Sequence, residues 1–113
     1  MKTPKRGEIW WVELSPTRGH EQSGRRPGLI LSDDLFNAGP AELVVVLPMT
    51  TRDKRIPSHV AVEPSEPRLK VRRFIKCEEP RTIAKERLGS RMGAVKQETM
   101  AEVERRVRWL LGL

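Results

Sequence analysis

The chain holds no tyrosine, and its three tryptophans and two phenylalanines leave it only 4% aromatic. A lone cysteine, Cys77, cannot close an internal disulfide, so nothing here requires an oxidising compartment. Two histidines far apart in the chain, His20 and His59, add to that one thiol no ligand cluster for a transition metal. Asp33-Asp34 could address a harder cation, but they stand where a helix cap accounts for them, so no metal and no other cofactor is expected. The glycines lack the Gly-Lys-Ser/Thr ending of a phosphate-binding P-loop, which argues against nucleotide hydrolysis. No apolar run approaches the ~20 residues that span a bilayer, and the first residues carry no signal-peptide core. The expectation is a cytoplasmic protein that does not enter a membrane.

Positive charge, by contrast, is abundant. Lysine and arginine number 22 against 15 acidic residues, giving a formal net charge of +7 and a pI near 10.3. Such a surface suits a polyanion, either nucleic acid or an acidic protein. No segment segregates basic from bulky apolar residues as an interfacial membrane helix would. At 113 residues, 37% of them apolar, residues 1–113 read as one domain with one core.

Ile9-Trp10-Trp11-Val12-Glu13-Leu14 is short and rich in β-formers, so it reads as a strand with Trp10, Val12 and Leu14 on the core face and Trp11 at an interface. Leu29 to Leu31 reads as a second strand, and Ser32 to Asn37 as a helical turn capped by Ser32. Leu43-Val44-Val45-Val46-Leu47 is too short and too β-branched for a helix and should be the central strand. Val60 to Val62, Leu69 to Lys76 with a bend near Phe74, and Pro80 to Ile83 add shorter extended pieces. From about Gln97 to Leu111 the period becomes helical, with Met100, Val103, Val107, Leu110 and Leu111 on one stripe and Trp109 off it. Glu102–Arg106 and Glu104–Arg108 are expected ion pairs on the wet side. Several short strands and a closing helix predict a mainly β, α+β fold, a small and strongly curved barrel.

One stretch stands apart. Pro16 to Gly28 packs three glycines, two prolines, three arginines, a glutamate, a glutamine and a histidine into thirteen residues between two strands. A plain hairpin connection needs about two to five residues, so this segment reads as a binding or catalytic loop on a rigid scaffold. Arg25 and Arg26 from this loop, with Thr50 and Thr51 after the central strand, suit a phosphodiester. The planar guanidinium grips phosphate at two points, and a hydroxyl adds a neutral donor. The residues alone leave open that these arginines merely hold nucleic acid.

Gly7-Glu8-Ile9-Trp10, followed by Pro16-Thr17-Arg18-Gly19-His20-Glu21-Gln22-Ser23-Gly24-Arg25-Arg26-Pro27, closely resembles the MazF/PemK family of toxin endoribonucleases. Leu47-Pro48-Met49-Thr50-Thr51 and Phe74 to Ile83 resemble two later blocks of that family, although Glu79-Pro80 stands where members often carry Gln-Ile. The resemblance implies an SH3-like barrel with a C-terminal helix, a homodimer, metal-independent cleavage of single-stranded RNA (mRNA) at short sequences, and a cognate acidic, MazE-like antitoxin. It implies Arg26 and Thr50 as the catalytic pair and Glu21 as an acidic participant. Arg18, Arg25, Arg52, Lys54 and Arg55 would then wall a basic groove. His20, Gln22, Thr51, His59 and Arg81 would contact substrate. With so few rings to stack bases, hydrogen bonds would carry much of the sequence reading, Gln22 among them. Two other readings stay open: a toxin of the same barrel that poisons DNA gyrase, and a nucleic-acid-binding SH3-like module without catalysis.

Overall fold

The computed structural model describes residues 3–14, 24–64 and 69–113. In chain order the strands are β1 (Glu8–Glu13), β2 (Arg25–Ile30), β3 (Leu43–Thr50), β4 (His59–Val62), β5 (Arg73–Lys76), β6 (Arg81–Ala84) and β7 (Leu88–Ala94). Helix α1 (Asp34–Ala38) follows β2, and α2 (Gln97–Leu111) ends the chain. The strand order is β4-β5-β3-β2-β1-β7, with every pairing antiparallel and β6 joined to β3 off this path.

The apolar run expected at the centre is indeed the hub. One side of β3 takes β2 through Gly28↔Pro48, Leu29↔Leu47 and Ile30↔Val46. Its other side is divided: β6 pairs with the first half, from Leu43↔Ala84 to Val46↔Arg81, and β5 with the end, Met49↔Ile75 and Thr50↔Phe74. A single strand that serves two partners on one edge must bend, and the sheet curls around it. The path of strands ends at β4 and β7 without those two pairing, so the expected barrel is realised as an open, barrel-like sheet.

Side chains alternate across a strand, and here both faces are buried. Trp10, Val12, Leu14, Ile30, Val44 and Val46 fill one core with Ile83 and Leu88. Ile9, Leu29, Leu47 and Met49 point the other way, into a second core with Ile75 and Val62 beneath Val103 of α2. The predicted face of β1 is therefore right, and Ile9 is buried as well because the helix covers the opposite side. Trp11 is half-buried, beneath the Arg25 guanidinium at 5.4 Å.

Helix α2 spans the residues that its period predicts. Met100, Val103 and Val107 pack against the sheet, but Leu110 and Leu111 are 37% and 57% exposed because the last turn runs past it. Trp109 is exposed, as its position off the stripe requires. Glu102 pairs with Arg106, whereas Glu104 meets Arg6 at 2.8 Å in place of Arg108. No helix among the described residues is long and apolar enough to cross a membrane.

Three local expectations need correction. Helix α1 is capped by Asp33, whose carboxylate accepts from the Leu35 N–H at 2.9 Å; Ser32 instead ties Val45 N and Asn37 together. β5 begins only at Arg73, because Lys70 and Val71 bend and leave Val71 exposed while Leu69 is buried. β7 went unforeseen, since Gly89 and Gly93 weaken its β signal; pairing with β1, with two register shifts, makes it a strand.

Gly28 marks the tightest point of the β1–β2–β3 triplet: a Cβ there would lie 2.9 Å from Val12 Cγ2. Gly28→Ala should therefore cost about 1–3 kcal/mol by overpacking. In urea denaturation, Val12→Ala combined with Gly28→Ala should cost less than the two single changes added, because it removes the clash.

Candidate functional site

Carrying the Gly28↔Pro48 register two residues further sets Arg26 opposite Thr50. Paired residues of an antiparallel ladder point to the same face, and Thr50 is in turn paired with Phe74 on β5. Val12, Arg26, Thr50 and Phe74 thus form one cross-strand row, which Val12 joins to the core of Ile30 and Val46. The next row is Gly28, Pro48, Lys76 and His59, since His59↔Lys76 continues the ladder. Arg26 and Thr50, far apart in sequence, share one side of the sheet. Arg26 is exposed, whereas Thr50 is 7% exposed and its Oγ1 accepts the Arg52 N–H at 3.2 Å. That bond uses an acceptor lone pair and leaves the hydroxyl proton to be donated.

The remaining expected residues divide. Arg25 and Arg26 were expected on a loop, but both belong to β2, because Glu13↔Arg25 and Val12↔Arg26 keep them on the ladder. Alternation sends them to opposite faces, so Arg25 lies over Trp11 and not beside Thr50. Thr51, Arg52, Lys54 and Arg55 form the exposed segment after β3, where the Arg55 N–H reaches Asp53 and Arg55 holds φ 52°. Arg81 sits opposite Val46 on the same face as Thr50, further back along β3. His59 was expected at a strand edge in contact with substrate or solvent. Its side chain is instead 3% exposed, with Nε2 2.9 Å from Glu78 Oε2, so burial withholds it from an incoming strand. Arg18, His20, Glu21 and Gln22 lie outside the described residues.

Around this row the charges are unevenly matched. Lys76, 4% exposed, is paired with Glu79. Glu78 accepts from Ser58 Oγ at 2.9 Å and bonds His59. Burial opposes the Glu78 charge, but its own backbone N–H, His59 and Ser58 outweigh that and hold its pKa below the ordinary carboxylate value. Arg73 differs: its Nε is buried without a hydrogen-bond partner. Burial, and then the charge of Arg26, lower its proton affinity. Arg73 alternates with Phe74 and so belongs to the face opposite Arg26, yet the Arg26 charge still reaches it through the sheet. Cys77 is 1% exposed and burial pushes its thiol up to about 12, so it offers no thiolate nucleophile near neutral pH. Among the described residues no group of three or more His, Cys, Asp or Glu side chains gathers as metal ligands.

A family model for the PemK-like, MazF-like toxins of type II toxin–antitoxin systems matches residues 5–111. The chain belongs to this toxin family. Endoribonuclease MazF of Staphylococcus saprophyticus is 33% identical over 110 residues, covering 96% of this chain and 92% of that protein. The crystal structure of MazF from Deinococcus radiodurans superposes with a TM-score of 0.86 at 30% identity, covering 100% of both chains. An endoribonuclease in complex with its cognate antitoxin, from a mycobacterial species, is 29% identical with a TM-score of 0.78, covering 100% of this chain and 97% of that one. The MazF-like match thus runs through both ends of the sheet and α2, as the three sequence blocks implied.

Arg73, Lys76 and Glu78 carry the electrostatics of the site, and sequence reasoning assigned none of them a role. Only the alternation of β5 could have signalled Arg73 and Lys76, and the false start at Leu69 hid its register; Glu78 lies in the turn beyond the strand, where no period marks it.

The lowered pKa of Glu78 has a signed consequence. Its contribution to stability is fully present above the unfolded carboxylate value of ~4.3 and is lost as pH falls through the lower folded value. Glu78→Gln should lower the denaturation midpoint at pH 7, and the gap from wild type should close in acid below about pH 4.

Proposed function

We propose that this MazF-like chain is a toxin endoribonuclease that cleaves single-stranded mRNA at short sequences without a metal ion or other cofactor. The observation that carries the reading is the β2–β3 register, which, carried two residues past Gly28↔Pro48, sets Arg26 opposite Thr50. The ribose 2′-hydroxyl attacks the adjacent phosphorus, the 5′-oxygen leaves, and the products are a 2′,3′-cyclic phosphate and a 5′-hydroxyl. Because the nucleophile belongs to the substrate, activating a water on a metal is unnecessary. Arg26 grips the non-bridging oxygens and Thr50 donates its hydroxyl to the charge that develops on them. An arginine holds its proton too tightly to act as base, whereas a glutamate is ionised at neutral pH. Glu21 therefore takes the 2′-hydroxyl proton, and solvent water protonates the departing 5′-oxygen.

The exposed Arg52, Lys54 and Arg55, with Arg18, supply basic walls, and Arg25 adds its charge from the opposite face of β2, over Trp11. His20, Gln22, Thr51, His59 and Arg81 serve substrate contact in this reading, His59 through Glu78 and not directly. An acidic, apolar, MazE-like antitoxin would lie across the same groove and block it. The protein acts in the cytoplasm as a homodimer, a reading supported by the apolar surface of Trp109, Leu111 and Leu113, exposed by 65%, 57% and 79%. Neither gyrase poisoning nor plain RNA binding requires the Arg26–Thr50 pairing, which favours the nuclease over both.

Purified protein incubated with a long RNA in EDTA should produce cyclic-phosphate ends. Arg26→Ala and Thr50→Ala should each slow single-turnover cleavage by about 10²–10³, the usual loss of one charge-stabilising donor. Gyrase-dependent DNA breaks without RNA cutting would reverse the choice. If Glu21→Gln cleaves at a near-normal rate while Arg26→Lys is dead, the proton role passes to Arg26. Sedimentation at micromolar concentration should give a dimer, and a monomer would count against self-association.

A further inference from the structure

On the sheet face opposite Arg26 lies a cleft of about 430 Å³ walled in part by Trp11 and Met92. Its polar side chains are Lys70, Arg73, Ser90 and Arg91. Three of these only donate hydrogen bonds, the serine does both, and the Trp11 indole adds one more donor. The Arg73 Nε is buried without a partner, a costly condition that an acceptor in the cleft would relieve. Arg91 is already bound through its own Nε to Glu8 at 2.6 Å, which fixes its guanidinium at the wall. Burial opposes the Glu8 charge, but hydrogen bonds from Arg91, Lys5 and Trp10 hold the carboxylate ionised, so its oxygens are occupied. Arg25, lying over Trp11, adds a cation at the rim.

Although it opens on the other face, the cleft lies at the same end of the sheet as the Arg26–Thr50 row. Arg73 opens β5 one residue before Phe74, the cross-strand partner of Thr50, and Arg73 feels the charge of Arg26. We propose that this cleft is the subsite for one nucleobase flanking the cut phosphate, and that it selects a keto base, uracil or guanine. The proposal rests on the endoribonuclease reading above. Trp11 supplies a scarce ring for stacking in a chain with few aromatics. The donors match the exocyclic oxygen of a keto base, and a planar guanidinium meets O6 and N7 of guanine at two points. Cytosine and adenine would turn an exocyclic amino group towards donors. An apolar side chain of a protein partner would fill the space but leave the Arg73 Nε without an acceptor.

The test is to cut an RNA library randomised around the cleavage site and sequence the 5′ ends. The wild type should favour U or G over C and A at one flanking position. Arg73→Lys, which keeps charge but loses the planar fork, should reduce that preference at least tenfold, and Ser90→Ala should reduce it in the same direction by a smaller factor. The readout is a ratio between bases at one position, so a general loss of rate does not mimic it. Binding of 2′-O-methyl oligoribonucleotides, which cannot be cut, provides an independent arm. Failure to cleave any RNA, with keto-selective binding that Arg73→Lys abolishes, would sink the nuclease reading and uphold the subsite. Cleavage with base preferences untouched by both variants would uphold the nuclease and overturn the subsite. Variants that weaken only the binding of an acidic, apolar peptide would make the cleft a protein-docking site, and would overturn it too.

Discussion

The pairing of β2 with β3 is the constraint on which the molecule depends. Gly28 faces Pro48 with no room for a side chain against Val12, so the three central strands lie close and in one register. A slip of one residue would turn every side chain of β2 to the other face. Ile30 would leave its core, and Arg26 would leave the row of Thr50. Packing energy and site geometry are therefore enforced together, because a register that misplaced the arginine would also expose the apolar residues that drive folding.

Around that register the chain sorts its charges. Glu8, Glu78 and Glu79 are drawn into hydrogen bonds and ion pairs with Arg91, His59 and Lys76. Arg73, half-buried and near Arg26, has no hydrogen bond on its Nε. Like charge within reach of like charge is unfavourable in isolation, and the apolar core of the fold outweighs it. A polyanion relieves the repulsion on arrival, which is the physical reason that a basic toxin surface suits both RNA and an acidic inhibitor. Alternation on β2 separates the two arginines, with Arg26 directed to the Thr50 side and Arg25 to the Trp11 side.

Much of this architecture was legible beforehand, for local reasons. β1 and α2 carry a clear period and β3 a continuous apolar run, and each formed there, although β3 runs on past Leu47 to take in Thr50. The errors fell where tertiary contacts override weak local signals. Glycines concealed β7 until β1 supplied its partner. Ser32 looked like a helix cap, but its hydroxyl was drawn to Val45 N, leaving the cap to Asp33. Arg25 and Arg26 looked like loop residues because they follow glycines, yet the ladder claims them. His59 carried no mark of burial, since its carboxylate partner lies nineteen positions away in Glu78.

The sequence by itself determined the excess of positive charge, the scarcity of rings, the single thiol, the central apolar strand and the closing helix, because each is a matter of composition or of short-range pattern. Through its three blocks it also determined the family. Only the tertiary structure decided that Arg26 stands opposite Thr50, that Arg25 turns away from it, and that Arg73 comes close enough to feel the Arg26 charge. Those relations join residues from three separate strands. Their closeness is set by register and curvature, which no local stretch of chain contains.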